Sequence, residues 1–74
     1  MNFSAFMFVI TPKTHPDLVS VSGDWHETVK LKPQIVRWLK ENLSGRYSYQ
    51  PGEMQASVVI LQKDDAALFK MMWL

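Results

Sequence analysis

Apolar positions repeat at two periods along the chain. From Phe3 to Thr11 they run almost without a break: Phe6, Phe8 and Ile10 fall on one face of an extended segment, Ala5, Met7 and Val9 on the other. This pattern predicts a first strand, stopped by Pro12, which has no N–H to give to a ladder. Because both faces are apolar, the strand is expected to be central and covered on two sides. Residues 13–32 admit two readings. Leu18–Ser22 and Glu27–Leu31 can form a hairpin, with Gly23-Asp24 as a tight primed turn. In the other reading, Asp24 and Glu27 have capping-box spacing. Trp25, Val29, Val36, Leu39 and Leu43 would then line one long helix kinked at Pro33. A break at Pro33 is favoured, since proline is most at home in the first turn of a helix.

Between Pro33 and Leu43 the period changes to that of a helix. Ile35, Val36, Leu39 and Leu43 form a stripe flanked by Trp38, Lys40 suits the negative end, and Gly45 is placed for a left-handed cap. Arg46–Gln50 and Ala56–Gln62 read as two strands joined through Pro51-Gly52, the second apolar on both faces. Asp64 or Asp65 is expected to cap a last helix running from Ala66 to Leu74. The order is strand, insert, helix, strand, strand, helix. It predicts an α+β fold of ferredoxin-like character, with a small antiparallel sheet and two helices packed on one face.

Composition sharpens this picture. At 74 residues the chain is read as one domain, residues 1–74, and it has no cysteine to staple it. Stability must come from a dense apolar core, a partner chain, or both, and 47% hydrophobic residues with three Trp allow either. No run reaches the roughly 18–20 apolar residues of a membrane span. The N-terminus has neither a basic region nor a small-residue cleavage site, so a cytoplasmic protein is expected.

Candidate chemistry is sparse. His15, Asp17, Asp24, His26 and Glu27 cluster in sequence and are of metal-ligating type, but their spacing matches no ligand frame. A solvated polar loop explains them better. The chain has no cysteine nucleophile, no Gly-x-Ser-x-Gly and no glycine-rich phosphate loop. No catalytic residue, metal or cofactor is expected, and the protein is read as not being an enzyme.

Two binding readings remain. The net charge is only +1, yet Lys30, Lys32, Arg37, Lys40 and Arg46 gather where Glu41 is the only acid. They suit contact with single-stranded nucleic acid if Tyr47 and Tyr49, two apart on a strand, stack bases. Solvated cations and cross-strand tyrosine packing account for the same residues. The favoured reading is protein–protein interaction. The last helix is apolar nearly all round, so one side can cover the domain's own sheet while the other needs a second chain. Leu68, Phe69, Met71, Met72 and Trp73 are the candidate interface, and a homodimer is the simplest way to cover them.

Two segments carry a resemblance. Trp38-Leu-Lys-Glu-Asn-Leu-Ser-Gly45 is similar to the end of the first helix in small uncharacterised proteins of tailed phages, including marine ones. Asp65-Ala-Ala-Leu-Phe-Lys-Met-Met-Trp73 resembles their closing D-A-x-L-F-K-x-x-W signature. The link between first strand and first helix is longer here than is usual in that group. The resemblance implies a phage-type accessory or host-modulating protein, placed in the host cytoplasm, and it transfers no catalytic residue.

Overall fold

The computed structural model describes residues 5–23 and 25–74. They form an α+β fold of two helices and two three-stranded antiparallel sheets. In chain order the elements are β1 (Phe6–Ile10), β2 (Val19–Ser22), β3 (Thr28–Leu31), α1 (Pro33–Asn42), β4 (Tyr47–Gln50), β5 (Gly52–Glu53), β6 (Ala56–Ile60) and α2 (Lys63–Trp73). Sheet A has the order β1-β6-β4 and sheet B the order β2-β3-β5. The chain passes from one sheet to the other at Pro51, between β4 and β5, where the missing N–H interrupts any ladder.

Register decides which residues form the core. Phe6 and Tyr47 lie opposite Ile60, Phe8 and Tyr49 opposite Val58, and Ile10 opposite Ala56. These residues share the inner face of sheet A. The helices cover that face: Ile35 and Leu39 of α1 and Phe69 of α2 are fully buried beside Ile10, Val58 and Ile60. Sheet B adds Val19, Val29 and Leu31 to the same cluster. The sheets are also joined by a hydrogen bond, the Leu31 amide donating to the Tyr49 hydroxyl at 2.9 Å.

Several sequence expectations change. The hairpin reading of residues 13–32 holds and the long kinked helix does not form, because β2 and β3 pair from Val19–Leu31 to Ser22–Thr28. The connection is a five-residue loop, 23–27, and not a two-residue turn; Asp24, and with it the capping-box pair, lies outside the described residues. Gly23 is required in that loop: its φ is 114°, and a Cβ there would stand 2.2 Å from the His26 carbonyl oxygen. The first strand was expected to begin at Phe3, which also lies outside the described residues. That strand is an edge strand and not a central one, with Met7 62% exposed. The central place belongs to β6, whose Ala56, Val58 and Ile60 are all buried.

Candidate functional site

α2 is where folding and candidate function meet. Its buried side is Asp65, Ala66 and Phe69. Phe69 has a ring on either side: Phe8 at a centroid distance of 5.1 Å and Trp38 at 6.1 Å, both tilted. Trp38 in turn meets Trp73 edge to face at 6.1 Å. Such pairs add about 0.5–1.5 kcal/mol each beyond the area they bury. The aromatic cluster therefore clamps β1, α1 and α2 together. The Trp73 indole N–H is buried and has no hydrogen-bond acceptor among the described residues.

The polar clamp is Asp65. It does not cap its own helix, as the sequence suggested; the N-cap is Gln62, and no side chain caps there. The carboxylate instead reaches the α1–β4 connection. It accepts the Gly45 amide at 2.8 Å, the Ser44 amide at 3.3 Å and the Ser44 hydroxyl at 3.1 Å. The Gly45 amide, aided by both Ser44 donors, holds the Asp65 carboxyl below the usual carboxylate range, against an opposing push from burial. Gly45 is not the left-handed cap expected of it: Gly23 is the described glycine with positive φ, and α1 ends on Leu43 in extended backbone. What Gly45 supplies is space, because a Cβ there would stand 2.5 Å from the Gln62 side chain.

With α2 held at both ends, its other flank is left bare. Leu68 is 43% exposed, Met72 57% and Met71 84%. The spacing of i, i+3 and i+4 makes them one stripe. Of the five candidate interface residues, these three are exposed. Phe69 is not, being fully buried at the centre of the core, and Trp73 is half-buried against Trp38. Helical periodicity contained this split, since Asp65, Ala66, Phe69 and Trp73 share one side of the wheel. An almost uniformly apolar sequence hides which side turns inward.

The tyrosines and the basic residues among the nucleic-acid candidates differ in exposure. Tyr47 and Tyr49 face inward and pack against the core, and Tyr49 spends its hydroxyl on Leu31. Arg37 and Lys40 are exposed on α1, Lys30 on β3 and Arg46 before β4, while Lys32 is half-buried at the α1 N-cap. Bases stacked on the tyrosines would have to displace core side chains.

The polar residues of 13–32 also disperse. His15 meets the Thr14 hydroxyl at 3.1 Å, and His26 lies 3.5 Å from Glu53 with both side chains largely in solvent. Among the described residues no three His, Asp or Glu side chains come together as a metal set, and Asp24 lies outside them. An open cleft of about 370 Å³ lies between Thr11–Lys13, Glu27, Val29, Met54 and Gln55. Lys13 and Glu27 are the charged residues in its lining. Among the described residues no helix is long and apolar enough to cross a membrane. No protein-family model, curated protein or solved structure is matched by this chain.

Proposed function

We propose that this protein is a non-enzymatic interaction module that acts as a homodimer, and that its role is that of a phage-type accessory or host-modulating protein in the host cytoplasm. The phage context rests on the Trp38–Gly45 and Asp65–Trp73 resemblance. The interaction reading rests on one observation: Leu68, Met71 and Met72 form an exposed apolar stripe on a helix whose opposite side is already fully used. Met71 and Met72 make no contribution to the buried core, so the domain's own folding does not account for them. Methionine is adaptable and enriched at interfaces. A second copy offers the same stripe, which suits a two-fold contact.

Light scattering on a size-exclusion column, run over a concentration series, tests this. A mass near twice the 8.6 kDa of one chain is expected. The double variant Leu68→Glu, Met71→Glu is expected to return the mass to that of one chain with its helical circular dichroism unchanged. A monomer at every concentration, or a dimer indifferent to both substitutions, rejects self-association through α2.

A further inference from the structure

β1 leaves one edge of sheet A open. It pairs with β6, and no backbone hydrogen bond among the described residues reaches it from the other side. In an antiparallel ladder alternate residues turn their N–H and C=O away from the partner strand. Phe6–Ile10 therefore presents a row of unmet donors and acceptors. Natural proteins blunt such edges with lysine, proline or a bulge. Phe-Met-Phe-Val-Ile has neither lysine nor proline, and its register with β6 runs one to one without a bulge.

Beside that edge lies a groove of about 300 Å³. Phe6 and Phe8 of β1 form one wall, and Ala66 and Ala67 of α2 the other, with Lys63 and Lys70 also lining it. Positions 63, 66, 67 and 70 lie on one face of a helix, so the two lysines stand about 10 Å apart along its axis with the alanines between them. No acid lines the groove, and neither lysine has an ion-pair partner among the described residues. The groove is thus apolar in the middle and cationic at both ends. A strand added to β1 would lie along it, with alternate side chains pointing in.

We propose that the open edge of β1 and the β1–α2 groove form one docking site for an extended peptide segment of a partner protein, whose inward-facing residues read acid, apolar, acid. The peptide backbone completes the edge as a fourth strand of sheet A, the usual source of affinity in strand addition. Its apolar side chain fills the space between the phenylalanines and alanines, and its carboxylates meet Lys63 and Lys70. The charge pattern selects this occupant over a second copy of β1, which has no acid to offer. The groove lies on the flank of α2 away from Leu68 and Met72 and adjoins the self-association stripe only where Ala67 stands one turn before Met71.

The probe is a fluorescein-labelled peptide, Thr-Glu-Thr-Val-Thr-Glu-Thr, whose two glutamates are about 13 Å apart in a strand. Its counterpart carries lysine at both glutamate positions. The expected result is saturable anisotropy with the acidic peptide and shifts of the β1 amide resonances. The double variant Lys63→Glu, Lys70→Glu is expected to weaken the acidic peptide about tenfold and to reverse the preference between the two peptides. Ala67→Trp, at an exposed position, fills the groove and is expected to abolish binding with circular dichroism unchanged. No anisotropy change up to millimolar protein, or binding indifferent to Ala67→Trp, overturns the proposal. So does a dimer that Lys63→Glu, Lys70→Glu dissociates without any peptide binding, which assigns the groove to a second copy. A Leu68→Glu, Met72→Glu variant, which leaves Met71 beside the groove unchanged, is expected to bind the acidic peptide as the unmodified protein does.

Discussion

The two helices cover the same face of sheet A but are finished differently. α1 buries Ile35 and Leu39 and turns Arg37, Lys40 and Glu41 to solvent, so its polar side is what water requires of it. α2 buries Phe69 and turns Leu68, Met71 and Met72 outward. The ends of α1 are finished locally: Pro33 starts it, and the Asn42 side chain donates to the Trp38 carbonyl at 3.0 Å near its end. α2 is anchored at a distance, through Asp65 to Ser44 and Gly45 and through Phe69 to Phe8 and Trp38. One helix is complete within the fold. The other is docked through one side while its remaining apolar side, Leu68, Met71 and Met72, stays outside the core.

The comparison can be broken most severely at the shared core. Phe69→Ala is expected to cost about 3–5 kcal/mol and Leu39→Ala about 2–5 kcal/mol in urea unfolding. Large losses at both sites would mean that the helices depend equally on one core. A loss at Leu39 alone would mean that α2 is docked by something other than its aromatic contacts. Because Phe69 is buried, an acidic substitution there would report unfolding and not loss of assembly.

Asp65→Asn comes next, at about 1.5–3 kcal/mol, the range for hydrogen bonds to a charged group. The sign of its pH dependence follows from the lowered carboxyl pKa. The stability Asp65 adds is fully present above about pH 4, where the unfolded carboxyl is ionised, and is lost as pH falls through the lower folded value. Unfolding midpoints of the unmodified protein are therefore expected to decline through that acid range. The Asn variant should lack this portion of the decline. Equal slopes for the two proteins would show that the clasp adds no proton-linked stability.

The smallest effects are expected on the outer sides, where they sharpen the contrast. Arg37→Ser on α1 and Leu68→Ser on α2 should each change monomer stability by no more than about 0.5 kcal/mol. They should differ in assembly: Leu68→Ser lowers the dimer fraction in light scattering, whereas Arg37→Ser leaves it unchanged. A fall in stability at Leu68 well beyond that range would make it a core residue and remove it from the interface.

The sequence by itself determined the period of each segment. The short apolar run from Phe6 to Ile10 ended by Pro12, the Ile35–Leu39 spacing after Pro33, and Val58-Val-Ile60 are local facts, and the strands and helices follow from them. The α+β class followed as well. Tertiary structure alone decided which apolar face turned inward. Phe6-Met-Phe-Val-Ile10 and Ala56-Ser-Val-Val-Ile60 look alike as strand sequences, yet one lies at the edge and the other at the centre, because pairing order is set by long-range topology. Asp65 looked like a helix cap because a carboxylate in a first turn satisfies nearby amides. Its true partners, Ser44 and Gly45, are about twenty residues away and come within reach only after α2 docks. The same holds for the groove: Lys63 and Lys70 are ordinary helix charges until β1 is laid beside them with its outer edge unpaired.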